Sequence, residues 1–297
     1  MLMKQKGVMR MKILLTGGSG LFGQAFIDLV EKTSYEIYAT YNRNPLDFEN
    51  AFQIDITDAI KVKQLIEKIK PDVIIHAAAF TNVDRCEIEK EKAYEINAKA
   101  TENIAKVAKE INAKLIYIST DYVFDGKKGM YKEEDETNPV NYYGVTKLEG
   151  EKAVTKNCSD FIIARTSVIY GANKKNFATW AIEELRKDNQ IKIITDQWVS
   201  PTLNWDLAEQ IYKLIEKDER GIFHAAGGER VSRYDFVIKL AEVFGFDKKL
   251  VIPVISENMG WIAKRPRDSS LDVSKISNIK APYKLREALY LLKKRIK

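Results

Sequence analysis

From Met11 onward, short apolar runs alternate with stretches whose apolar residues recur every three or four positions. "KILLTG" is an apolar run closed by glycine and reads as a buried strand. "GQAFIDLVEKT" follows with helical spacing. "YEIYATY" predicts a second strand and "AFQIDIT" a third, with Asp58 placed to cap the helix "AIKVKQLIEKIK". "PDVIIHAAA" is a fourth strand, opened by proline. From Cys86 to Asn112 the three-to-four spacing of Ala, Ile and Val predicts one long helical segment. "KLIYIST" is a fifth strand and "DFIIART" a sixth. Between them, the stretch around Tyr143 reads as the start of an exposed amphipathic helix. Strands that lack period-two alternation and are separated by helices imply a parallel sheet covered on both faces. Right-handed crossovers make this a doubly wound, Rossmann-type α/β fold.

After Thr166 the alternation loosens. "IKIITDQ", "GIFHAAG" and "LVIPVI" read as shorter strands, mixed with helices near 176–188, 204–217 and 232–244. The expected organisation is a dinucleotide-binding domain over 11–166, which also receives segments near 204–226. A smaller α/β substrate-binding lobe over 167–297 is interleaved with it. No Gly/Ser/Pro-rich linker separates the two. Residues 1–10 read as a short extension.

Composition narrows the class. The chain has 297 residues, 45% of them hydrophobic, enough for a sizeable core. No run of 18 apolar residues appears, so no membrane span is expected, and the N-terminus lacks a secretory apolar core. The two cysteines, Cys86 and Cys158, form neither a disulfide framework nor a metal spacing. A cytoplasmic setting fits this usage. The net charge is +6, with bases spread among acids. The basic C-terminal "LREALYLLKKRIK" is read as a solvated last helix, not a nucleic-acid surface.

Three stretches carry chemistry. "TGGSGLFGQ" places Gly17, Ser19, Gly20, Leu21, Phe22 and Gly23 between the first strand and the first helix. Glycines there permit a tight turn and close approach of backbone to a pyrophosphate at the helix N-terminus. The second strand ends in Tyr41, Asn42 and Arg43, without the acid that usually holds the ribose of NAD. Arg43 can pair with a 2′-phosphate, which favours NADPH over NADH. Finally, "STDYVFDG" follows the fifth strand, where ligands bind in such sheets. Tyr143 and Lys147 lie one helical turn apart, on one face. An ammonium beside a phenol favours phenolate, which suits a proton-transfer group. Thr120 can donate to a substrate carbonyl while sharing lone pairs with Tyr143.

"TGGSGLFG", "HAAAFTNVDRCE", "NAKATENIA", "STDYVFDG", "YYGVTK", "ARTSVIYG", "DQWVSPT" and "KRPRDSSLD" occur in the order of the extended short-chain dehydrogenases/reductases. Over nearly all of 11–297 the chain resembles the dTDP-4-dehydrorhamnose reductase family. The resemblance implies NAD(P)H-dependent reduction of the 4-keto group of a nucleotide-linked deoxysugar, with dTDP-4-dehydrorhamnose the expected substrate. Tyr143 is then the acid and Lys147 its tuner and ribose ligand. Thr120 is the carbonyl partner, and Asp121 and Tyr122 bind sugar and adjust Tyr143. Ala77, Ala78 and Ala79 line the cofactor cleft, and Asp55 and Ile56 flank the adenine. Val168, Gln197, Arg265 and Arg267 are expected on the substrate side, the two arginines near the diphosphate. Val168 replaces an aromatic residue of many relatives, leaving a roomier pocket or one filled by Trp198.

His76 and His224 are expected to be satisfied structural histidines, and no metal site is expected. Two alternatives stay open. One is a nucleotide-sugar epimerase or dehydratase of the same fold, although Tyr122 stands where a dehydratase of this branch has Glu. The other is a regulatory protein like the regulatory subunit of methionine adenosyltransferase. A homodimer is an assembly the sequence allows.

Overall fold

The computed structural model describes residues 10–296; of the N-terminal extension only Arg10 falls among them, exposed and without regular structure. Seven strands form one parallel sheet: β1 (Lys12–Thr16), β2 (Glu36–Tyr41), β3 (Ala51–Gln53), β4 (Val73–His76), β5 (Lys114–Thr120), β6 (Phe161–Thr166) and, after four short strands, β11 (Gly221–His224). Those four are β7 (Ile169–Tyr170), β8 (Ile191–Ile194), β9 (Trp198–Val199) and β10 (Thr202–Leu203). Two more, β12 (Val231–Ser232) and β13 (Val251–Val254), follow β11. The sheet order is β11-β6-β5-β4-β1-β2-β3. Chain direction across the sheet therefore reverses between β1 and β4, and a crevice opens there at the carboxyl ends of the strands.

The helices are α1 (Leu21–Val30), α2 (Ala59–Ile69), α3 (Val83–Ile88), α4 (Lys90–Tyr94), α5 (Ala100–Glu110), α6 (Tyr142–Asn157), α7 (Phe177–Leu185), α8 (Asn204–Glu216), α9 (Arg233–Phe244), α10 (Ser274–Ser277) and α11 (Leu285–Arg295). On one face of the sheet, Phe22 and Phe26 of α1 and Leu207 and Ile211 of α8 pack against Ile13, Leu15 and Ile116. On the other, Leu65 and Ile66 of α2 and Ile104 and Ala108 of α5 cover Leu14, Ile74 and Leu115. Both faces are dry, so the strands read as continuous apolar runs. A separate core joins α7, α9 and α11 through Ile182, Leu185, Phe236, Leu240 and Leu289. It lies beside the parallel pair β8 and β13.

Several elements depart from the sequence reading. The long helical segment is broken: α3 starts at Val83, capped by Asn82, and a π-helical turn over Glu95–Lys99 links α4 to α5. "AFQIDIT" pairs only through Ala51–Gln53. Beyond it Asp55 accepts from the Thr57 amide and hydroxyl and turns the chain. The expected Asp58 cap accepts from the Lys61 amide. "GIFHAAG" contributes the seventh strand of the main sheet, with Gly221 opposite Ile162 and His224 opposite Arg165. Helix α6, capped by Asn141, is not an exposed amphipathic helix: it buries Thr146, Lys147 and Glu151. No helix among the described residues is long and apolar enough to cross a membrane.

Candidate active site

β1 ends at Thr16 and α1 begins at Leu21, so the glycine turn must reverse direction within four residues. Gly17 does so at φ 75°, and a Cβ there would sit 2.8 Å from the Ala78 amide nitrogen. A Cβ on Gly23 would fall 2.4 Å from the Gly17 carbonyl oxygen. Both clashes are with backbone, so α1 approaches the ends of β1 and β4 only because these positions are glycine. Gly20 brings no side-chain cap to α1, and the first turn holds no acid. The helix start is thus suited to an anion.

In front of it lies a cavity of about 1130 Å³. Ser19, Gly20, Leu21 and Phe22 form one end, with Asn42 and Arg43 beside them. Asp55 and Ile56 close that end, Ala77, Ala78 and Ala79 form the floor, and Thr120, Asp121, Tyr122, Tyr143 and Lys147 form the other end. The volume, the glycine cradle and the small floor residues fit a dinucleotide. Asn42 donates to the Asp55 carboxylate at 3.3 Å. Hydrogen bonds from the Thr57 backbone, followed by side-chain bonds from Thr57 and Asn42 and the nearby Arg43 charge, hold this carboxyl below its usual range against the opposing effect of burial.

At the catalytic end the groups are buried and their charges are shifted. Tyr143 packs edge-to-face on Tyr122, with centroids 5.9 Å apart. Burial raises the Tyr143 phenol above its ordinary value, and the Thr120 hydroxyl pulls the other way. The Tyr143 hydroxyl receives no hydrogen bond from Lys147, which lies one helical turn on. The Lys147 ammonium instead donates to the Ile118 carbonyl at 2.7 Å and lies 3.9 Å over the Tyr117 ring. Burial lowers the Lys147 pKa to about 7, partly offset by Glu151. The Thr120 hydroxyl is also committed: it donates to Asp121 Oδ1 at 3.0 Å and accepts from the Tyr122 amide. To serve a substrate carbonyl it must turn away from Asp121.

Asp121 is 2% exposed, which pushes its carboxyl up; three hydroxyl bonds pull it back down. Ser269 donates to Oδ2 at 2.6 Å and Ser167 at 2.8 Å. The sequence reading did not single out these two serines, although both lie in quoted motifs. It also passed over Asn97, in the π-helical turn. Its amide ties the Phe80 backbone to the Thr146 hydroxyl. A helical pattern gives no sign of the extra residue that aims this side chain inward.

A second cavity, of about 410 Å³, adjoins the first and is lined by Phe177, Trp180, Ile193, Gln197, Trp261 and Arg265, among others. Gln197 is buried and donates to the Pro266 carbonyl at 3.3 Å. Arg265 is not free for a diphosphate: both terminal nitrogens bind the Asp84 carboxylate, at 3.0 and 2.9 Å. Arg267 lines neither cavity and stands over Trp198 with Arg230. Trp198 lines neither cavity. Val168 lines the large cavity at φ 40°, a strained conformation for a β-branched residue. Its carbonyl is fixed by the Thr202 amide at 3.2 Å. The sequence reading missed several cations of the large cavity, Arg85, Lys92, Lys174, Lys175 and Arg233, of which Arg233 alone lines both cavities. A basic residue at the first position of a helix opposes the macrodipole, and that was the one signal of Arg233.

His76 is fully buried and satisfied by Thr16 at 2.7 Å and Thr101 at 3.1 Å. His224 is not fully satisfied: Nδ1 pairs with the Asp272 carbonyl, while Nε2 is buried without a partner among the described residues. Cys86 and Cys158 are buried and free, and burial pushes their thiols up to about 12 and about 11.

The family model described as RmlD substrate binding domain matches residues 11–296. The dTDP-4-dehydrorhamnose reductase of Aggregatibacter actinomycetemcomitans is 34% identical over 278 residues, 89% of this chain and 92% of that protein. Methionine adenosyltransferase 2 subunit beta of Xenopus tropicalis is 34% identical over 296 residues, 94% of this chain and 87% of that protein. The crystal structure of the Bacillus anthracis dTDP-4-dehydrorhamnose reductase in complex with NADP superposes with a TM-score of 0.88 at 32% identity. It covers 96% of this chain and 99% of that one.

Proposed function

The chain belongs to the RmlD substrate binding domain family, and from that premise we propose that it reduces the 4-keto group of a nucleotide-linked deoxysugar with NADPH. dTDP-4-dehydrorhamnose is the first substrate to try, and NADH is the second cofactor. The observation that carries this reading is one continuous cavity with the glycine cradle at one end and Thr120, Asp121, Tyr143 and Lys147 at the other. When bound, the nicotinamide supplies hydride. The protein's residues do the rest. The glycine turn and α1 hold the pyrophosphate, and Arg43 pairs with the 2′-phosphate. Tyr143 gives its proton to the oxygen that becomes a hydroxyl. Its raised pKa keeps the phenol protonated until that oxygen needs it. Lys147 holds the ribose side and supplies positive charge when protonated. Asp121, fixed by Ser167 and Ser269, keeps the Thr120 hydroxyl in place until substrate claims it.

The similarity to the beta subunit of methionine adenosyltransferase 2 raises a second, regulatory role. The two readings separate on one comparison. The purified chain is given NADPH with dTDP-4-dehydrorhamnose, and separately mixed with a methionine adenosyltransferase catalytic subunit. Cofactor oxidation matched by sugar reduction supports the reductase. No oxidation, with stabilisation of the transferase, overturns it.

A further inference from the structure

Among the described residues only Val83, Tyr122 and Arg233 line both cavities. Arg233 is half-buried. Its Nε donates to the Gln197 side chain at 3.2 Å, and its guanidinium stacks 5.1 Å from the Phe177 ring. These contacts hold one edge of the guanidinium and leave the other open. No carboxylate or carbonyl among the described residues engages its terminal nitrogens. Arg265 is neutralised by Asp84. A half-buried guanidinium held in place but unpaired is poised for an anion, and its fork matches two phosphate oxygens. Beyond it the second cavity is walled by Phe177 and Trp180, stacked at 5.9 Å, and by Trp261. Flat aromatic walls suit a nucleobase.

We propose that Arg233 anchors the diphosphate of the nucleotide-linked substrate. It clasps the diphosphate of a nucleoside diphosphate whose base enters the Phe177–Trp180–Trp261 cavity and whose sugar points to Tyr143. The assignment rests on the nucleotide-sugar reading above and adds the residue that fixes the ligand's register. Arg233 also lies close enough to Asp121 and Tyr122 to favour their ionised forms. Phosphate bound on it should weaken that influence.

The test is calorimetric titration of the full chain with dTDP, UDP and thymidine, without cofactor. Arg233→Gln should weaken dTDP or UDP binding roughly 10- to 100-fold, the usual range for a charge-assisted contact. Arg233→Lys should recover part of the loss, and thymidine binding should not change. Trp261→Ala should weaken nucleotide and nucleoside alike. Diphosphate affinity within twofold of wild type in Arg233→Gln overturns the proposal. So does an equal loss for thymidine, which would make Arg233 a prop for the aromatic wall, and so does wild-type protein that binds neither diphosphate. If wild type oxidises NADPH with the ketosugar but Arg233→Gln still binds dTDP normally, the anchor fails and the reductase stands. If diphosphate binding needs Arg233 but no ketosugar is reduced, the anchor stands and the reductase fails.

Discussion

At the scale of single residues, burial overrides what spacing implies. Tyr143 and Lys147 share a helix face, yet the buried ammonium turns to the Ile118 carbonyl and the Tyr117 ring. With its pKa lowered to about 7, Lys147 changes charge within the working range of pH. Cofactor affinity of the free protein should therefore rise as pH falls through about 7 and the ammonium forms. Titrating NADPH into wild type and Lys147→Met from pH 6 to about 8.5 checks this; the same pH profile in both would remove Lys147 from the cofactor site. Val168 makes the other residue-scale prediction. It lines the cavity from a strained backbone. Val168→Trp should change preference among ketosugars by ~1–3 kcal/mol and leave NADPH affinity alone. Altered NADPH binding with unchanged sugar selectivity would put this residue on the cofactor side.

At the scale of elements, the segments buried on both faces were legible and the bent ones were not. β1, β4 and β5 are apolar along their length because helices cover both sides, and their patterns are unambiguous. The glycine turn could be read because a turn against neighbouring backbone excludes a Cβ. Helix α3 could not, since its Asn82 cap lies before the apolar pattern starts, and the π-helical turn keeps a helical spacing while adding a residue. Arg233 stayed hidden because the cavity it faces is assembled from α7, α9 and the 259–265 segment, which are remote in sequence. Arg265, read as a phosphate ligand from its loop, is instead claimed by Asp84 of α3 across 181 positions. The end of β2 offers an element-scale test. Asn42 and Arg43 replace the expected acid, and Asp55 beside them is already held by Thr57. Arg43→Asp should weaken NADPH relative to NADH by ~1.5–3 kcal/mol. An unchanged ratio of kcat/KM for the two cofactors would make Arg43 a plain turn residue.

At the scale of the whole molecule, the two histidines tie stability to pH. Burial lowers both His76 and His224 to about 3, against an ordinary 6.5. Between those values the unfolded chain binds protons that the folded chain refuses. Stability is then lost as pH falls from about 6.5 toward 3, by about 1.4 kcal/mol per pH unit for each histidine. Urea midpoints at pH 7 and 4.5 should show the drop, and His224→Gln should flatten it by about one proton; an unflattened slope would remove His224 from the acid limb. The central claim, that this cavity reduces a nucleotide-linked ketosugar with Tyr143 as the proton donor, is tested most directly by single-turnover oxidation of NADPH. Wild type and Tyr143→Phe are each mixed with dTDP-4-dehydrorhamnose, with NADPH affinity measured on both. The prediction is hydride transfer by wild type, a rate roughly 10²–10⁴-fold lower in the variant, and near-equal NADPH affinity. Near-normal turnover by Tyr143→Phe, or none by wild type with cofactor bound, would contradict it.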